Sequence, residues 1–160
     1  MHVETTTVIR ATADEVFGFI TVPENGPRWQ EGAISTRAST AGPMRLGSRM
    51  EHQGRWLGLR VPTTAVVTVY DPPRLYGYDI TMRLIPRPSV MRYAVESVAE
   101  GTRLMLTSEA KMSAWMKPFE RLLQKSVQAM FERDVARLKT IIESDAPPGA
   151  VAAIGPERDS

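Results

Sequence analysis

From Phe119 to Ile142, apolar side chains recur at spacings of three and four, as Leu122/Leu123, Val127, Met130/Phe131, Val135, Leu138 and Ile141/Ile142. That period marks one face of an amphipathic α-helix, and Arg121, Lys125, Gln128, Glu132, Arg133, Lys139 and Glu143 take the opposite face. A helix over residues 113–144 would be about 48 Å long. Pro118 lies too far inside that span for a clean first turn, so a kink or break is expected there. The stripe has to be covered, and the rest of the chain must supply the cover.

Most of that remainder reads as strand. Residues 2–10 alternate and enter the core through Val3 and Val8, on different faces. Thr12-Ala-Asp-Glu then opens a short helix: Thr12 is its N-cap, and Glu15 completes a capping box. Val16, Phe17, Phe19 and Ile20 are its apolar face, and Pro23 ends it. The following Pro23–Gln30 stretch fits only a second short helix or a turn. Strands are expected at residues 33–40, 47–56, 59–70, 75–83, 89–99 and 102–112. Asp71-Pro-Pro-Arg is a turn, because paired prolines cannot join a ladder. Ile85-Pro-Arg-Pro is expected to interrupt the sheet, and Glu100-Gly101 to form a tight hairpin turn. Short connections throughout imply one antiparallel sheet of about seven strands.

The reactive side chains are few. The chain has no cysteine and two histidines, one of them His2 beside the first residue. Disulfides, thiolate nucleophiles and zinc–cysteine or iron–sulfur sites are therefore excluded, as is a multi-histidine metal site. No glycine-rich phosphate loop or serine elbow is present, and no cofactor is expected. Twenty basic residues oppose eighteen acidic ones, and sixteen of the basic ones are arginine. The arginines are scattered along the chain, which gives no support to a nucleic-acid groove. No apolar run approaches the roughly 18–20 residues that span a bilayer. The N-terminus lacks the order of a signal peptide. A soluble, cytoplasmic protein without membrane insertion is the expectation, and monomer or homodimer stays open. Residues 1–144 are read as one domain, and 145–160, with three prolines and no period, as a mobile tail.

One strand, two short helices, six strands and a long amphipathic helix is an unusual order. Two short helices cannot cover the inner face of a curved sheet, so the terminal helix must lie across its concave side. Three passages then carry a resemblance: Ala13-Asp-Glu-Val-Phe-Gly-Phe-Ile with Pro23-Glu-Asn and Trp29; Val67-Thr-Val-Tyr-Asp-Pro-Pro-Arg-Leu; and Glu100-Gly-Thr-Arg-Leu. Over about residues 1–144 the chain resembles the START-like (SRPBCC) superfamily, in its bacterial polyketide cyclase/dehydrase and lipid-transport branch. The resemblance implies an α+β helix-grip fold with a hydrophobic pocket under the long helix. These motifs mark the fold and carry no catalytic identity.

Strand alternation places Met50, His52, Gly54 and Trp56 together on the face read as pocket-facing. His52 is the one internal group that titrates near neutrality, and so the candidate general acid or base; otherwise it is a hydrogen-bonded wall residue. Tyr76, Tyr78, Ile80 and Met82 share a face of the fifth strand, as Tyr93 and Val95 do on the sixth. Inward tyrosine hydroxyls would orient a carbonyl, with His52, Tyr78 and Tyr93 as the candidate catalytic set. Arg92 and Glu96 would then face solvent, where an ion pair is not costly. Met82, Met91, Met105, Met112 and Met116 are assigned to the ligand surface with Met50, because thioethers adapt to varied apolar shapes. An irregular core would use them equally well. Trp115 and Phe119 either gate the pocket mouth or staple the helix end to the sheet.

Three functions remain open. The first is a binding or carrier module for a small hydrophobic molecule such as a lipid, polyketide or sterol-like compound. The second is a cofactor-independent cyclase/aromatase or dehydratase using His52 with Tyr76, Tyr78 or Tyr93. The third is a protein-interaction module, which an exposed apolar patch without a cavity would favour. The first is preferred, because acid/base groups are scarce.

Overall fold

The computed structural model describes residues 1–56, 58–83 and 85–145, with residues 56, 85 and 86 as backbone alone. Strand β1 (His2–Ile9) leads into α1 (Ala13–Ile20), a 3-10 turn (Pro23–Asn25) and the one-turn α2 (Gly26–Trp29). Strands β2 (Ala33–Ala38), β3 (Arg49–Trp56), β4 (Leu59–Asp71), β5 (Leu75–Met82), β6 (Ile85–Val98) and β7 (Gly101–Glu109) follow. A second 3-10 turn (Ala114–Phe119) then opens into α3 (Glu120–Asp145). The expected tail from residue 146 and the Trp56 side chain lie outside the described residues.

The local signals act as the sequence predicts at α1. The Glu15 amide donates to Thr12 Oγ1 at 3.2 Å, and the Thr12 amide donates to Glu15 Oε2 at 2.8 Å. Pro118 ends up in the 3-10 turn, so the break falls at Phe119 and α3 has 26 residues, about 39 Å of helix. The sixth strand is longer than expected: it starts at Ile85 and runs through Pro88. Its ladder to β7 begins only at Val90, so the prolines occupy a stretch with no β7 partner and forfeit no bond there. In the β6–β7 hairpin Val98 faces Gly101, which makes Ala99-Glu100 the turn and Gly101 the first residue of β7.

All strands are antiparallel, in the order β1-β7-β6-β5-β4-β3-β2. Strands β2 to β7 form a meander, and β1 joins it beyond β7. The chain therefore crosses the whole sheet between β1 and β2, carrying α1 and α2 with it. Register shifts at Ala33/Ser35, Val67/Val69 and Ile80/Met82 insert extra residues, which bend strands and strengthen twist. α3 lies in the resulting concavity. Its Phe131, Val135, Leu138 and Ile142 are buried with Val3, Ile9, Val67, Leu104 and Leu106 of the sheet. This is the α+β helix-grip architecture. α3 also covers one sheet edge: Gln124, Gln128 and Lys139 donate to the carbonyls of His2, Glu4 and Val8 at 2.9, 2.9 and 2.5 Å. Edge carbonyls left bare would invite another strand.

Candidate functional site

A cavity of about 250 Å³, open on one side, lies between the middle of α3 and strands β3 to β7. Val127, Met130 and Phe131 wall it from the helix, Gln30 and Gly32 from the loop after α2, and Ala33 from the start of β2. The sheet contributes His52, Gly54, Thr63, Tyr78, Ile80, Ser89, Met91 and Ser108. Alternation makes this possible, since Tyr76, Tyr78 and Ile80 share the inner face while Asp79 pairs with Arg92 on the outer one at 3.4 Å. Glu96 pairs outside with Arg103 at 2.8 Å.

His52 stands between Thr36 of β2 and Thr63 of β4 in the ladder. Its Nδ1 lies 2.9 Å from Thr36 Oγ1. That hydroxyl has no other hydrogen-bond partner among the described residues, and which of the two atoms donates depends on the ring tautomer. Nε2 is buried, and no protein atom among the described residues partners it. Burial lowers the His52 pKa, so the ring is neutral at physiological pH. It stacks on Tyr78 with centroids 6.0 Å apart and planes at 29°.

Tyr78 and Tyr93 bring their hydroxyls to 2.9 Å across the β5–β6 ladder, and Gln30 Nε2 donates to the Tyr93 oxygen at 3.3 Å. Burial pushes both phenols upward, so they act as neutral hydroxyls. Two hydroxyl hydrogens and one oxygen–oxygen contact leave one hydrogen unspent. Tyr78 lines the main cavity, and Tyr93 lines only the adjoining crevice of about 20 Å³. Tyr76 stacks on Tyr93 at 5.7 Å and directs its hydroxyl to Met50 Sδ at 3.6 Å. Tyr76 and Met50 border the crevice rather than the main cavity.

Among the site residues that sequence reasoning missed, two bear most on its chemistry, Asp134 and Gln30. Asp134 is only 4% exposed on the buried side of α3, and its Oδ1 accepts the Glu31 amide at 2.8 Å. Desolvation raises its carboxyl to about 6; the Glu31 amide opposes that, the Glu31 charge adds to it, and Arg137 and Arg133 relieve it. The neighbouring Arg133 pairs with the Glu31 side chain at 2.8 Å, so consecutive helix residues hold one loop residue by backbone and side chain. Gln30 is the second omission. A polar residue at 134, inside an apolar stripe, was the available signal for Asp134; Gln30 in a loop gave none.

Several expected contacts fall elsewhere. Met105 points to the convex face, since Leu104 and Leu106 beside it point inward. Met82, Met112 and Met116 do not border the cavity, and Met116 is the buried residue of the second 3-10 turn. Trp115 and Phe119 are exposed rather than stapled to the sheet. A larger hollow, about 500 Å³, lies around Met1, Asp79, Arg87, Glu109 and Lys111. Its lining mixes both charge signs and lacks the buried acid/base groups of the inner cavity. Among the described residues no group of three or more His, Asp or Glu is placed to hold a metal ion. None of the described helices is long and apolar enough to cross a membrane.

The family profile described as polyketide cyclase / dehydrase and lipid transport matches residues 1–143. No curated protein sequence matches the chain. Among solved structures, the Zhui aromatase/cyclase from Streptomyces sp. R1128 superposes with a TM-score of 0.75 at 15% identity, over 92% of this chain and 96% of that one. A Thermus thermophilus protein gives 0.74 at 16% identity, over 92% and 100%. DynU16, of the dynemicin biosynthetic locus, gives 0.65 at 17% identity, over 91% of this chain and 48% of its own. At such identities the likeness is one of fold.

Proposed function

The chain belongs to the polyketide cyclase / dehydrase and lipid transport family, and from that membership we propose that it binds a small, mainly apolar molecule between α3 and the sheet. The observation that carries this reading is the cavity itself: apolar walls from Met91, Val127, Met130 and Ile80, with neutral polar groups on His52, Tyr78 and Gln30. Sites for small molecules usually combine these two features, over volumes of about 300–1,000 Å³. The cavity lies just below that range and suits a compact ligand. The aromatase/cyclase neighbour makes a compact aromatic polyketide the first ligand to try. His52, Tyr78 and Met91 are the proposed contacts.

The test is a binding titration followed by native mass spectrometry and by fluorescence. In the Thr36→Val/His52→Phe double variant both partners of one buried hydrogen bond become apolar, a change often close to neutral for stability. We expect ligand affinity to fall at least about tenfold, the loss of one good hydrogen bond, with little change in Tm. Unchanged affinity would remove His52 from the site. Failure of a broad apolar panel to bind at all would remove the reading.

A second reading has its own observation. Asp134, held near 6, shares the cavity with neutral His52 and Tyr78. A carboxyl poised near neutral pH is suited to general acid/base work, without a cofactor. Under this reading Asp134→Asn abolishes turnover of a bound polyketone while leaving its affinity intact; equal turnover in the variant would reject it.

A further inference from the structure

The apolar stripe of α3 extends past the cavity. Val127 and Met130 line the cavity, and Leu123, one turn earlier, is half-buried. Leu122, Phe119 and Trp115 are then 70%, 60% and 72% exposed. Single exposed apolar residues need no explanation, but three large ones within eight positions do.

Charge is concentrated at the same place. Residues 115–125 hold Lys117, Arg121 and Lys125 against one acidic residue, Glu120. The rest of the chain carries 17 basic and 17 acidic residues, so this segment accounts for the whole net positive charge of +2. All three cations are exposed, and none forms an ion pair among the described residues. Glu120 itself is paired with the Met1 ammonium at 3.1 Å.

We propose that the start of α3 and the 3-10 turn before it dock onto the surface of an anionic lipid bilayer. Trp115, Phe119 and Leu122 enter the interfacial layer, while Lys117, Arg121 and Lys125 reach the headgroup phosphates through flexible stems. The helix rests on the membrane and does not span it. A second copy is a poorer occupant, because a two-fold contact would set the same cations face to face. A bilayer is favoured over an acidic protein by the continuity of the bare stripe with the cavity, which would let an apolar molecule pass between lipid and cavity without crossing water. That choice between bilayer and acidic protein rests on the ligand reading above; the exposed apolar side chains and the unpaired cations do not.

The experiment is co-sedimentation of the full chain with phosphatidylcholine vesicles, with and without phosphatidylglycerol. Binding is expected only to the anionic vesicles, with a loss of at least about tenfold at high salt. A blue shift of tryptophan emission should accompany it and vanish in Trp115→Phe. Trp115→Ala/Leu122→Ser and Lys117→Glu/Arg121→Glu change exposed side chains, so each should keep the wild-type circular dichroism and Tm while losing vesicle binding. Equal binding to neutral vesicles, binding to neither, or full binding by both double variants would each overturn the proposal. Analytical ultracentrifugation and capture on an immobilised acidic protein ask whether another occupant covers the patch; self-association or capture without vesicle binding would also overturn it.

Discussion

Asp134 occupies the apolar stripe of α3, three residues after Phe131 and four before Leu138, where a charge is costly to hold. An aspartate that titrates at 3.8 when unperturbed is raised here to about 6, first by burial. Between those values the folded protein keeps a proton that the unfolded chain has released. The stability contributed by the neutral carboxyl is therefore complete below about 3.8 and lost as pH rises through about 6. Asp134→Asn retains an acceptor for the Glu31 amide and cannot ionise. In urea unfolding at a series of pH values, the variant should gain on wild type from pH 4 to 6 and level off at roughly 2–3 kcal/mol above it. A pH-independent difference would contradict burial as the cause. His52 acts in the other direction. Its pKa lies below 6.5, so its contribution is present above that pH and lost on acidification through the lowered value. It cancels in the comparison because both proteins retain it. Composition singles out His52, as the one internal histidine, but cannot reveal the Thr36 contact that orients its ring, because β2 and β3 meet only through the ladder.

The hairpins that place these residues depend on a few backbone positions. Gly101 opens β7 at φ +134°, and a Cβ there would run into the backbone of Ile9 and Arg10. Gly101→Ala thus combines an unfavourable φ with a clash against β1, the neighbouring edge strand. We expect a loss of at least about 2 kcal/mol in chemical denaturation; a cost within 0.5 kcal/mol, roughly that of an ordinary surface change, would contradict this geometry. Element type and order were largely legible, because alternation, capping and turn chemistry are local. Where the expected pattern failed, the cause was non-local. The prolines at 86 and 88 read as an interruption, yet β6 tolerates them because β7 has already ended there. Residue type groups Met105 with the other methionines, but the alternation of β7 sends it outward.

At the scale of the whole molecule, we infer that residues 1–144 form the folding unit. Every buried side chain in the core cluster comes from Val3 to Ile142, and the family match ends at residue 143. A chain ended after Asp145 should unfold with the same Tm as the full chain, within 2 °C, roughly the effect of half a kcal/mol on a domain of this size. A larger drop would place residues 146–160 in the fold. The architecture follows from arithmetic already present in the chain: a long amphipathic stripe and about seven short strands admit few arrangements other than a sheet closed around one helix. Those periodicities are one-dimensional properties, so the sequence by itself determined the elements, their order and the absence of thiol chemistry. Only tertiary structure decided the site. Asp134 meets Glu31 across 103 positions, Gln30 reaches Tyr93 across 63, and Tyr78 reaches Tyr93 across the β5–β6 ladder. Burial then turns these ordinary side chains into neutral donors and a carboxyl near 6. Desolvation and hydrogen-bond direction depend on what surrounds a group in three dimensions, and no spacing along the chain encodes them.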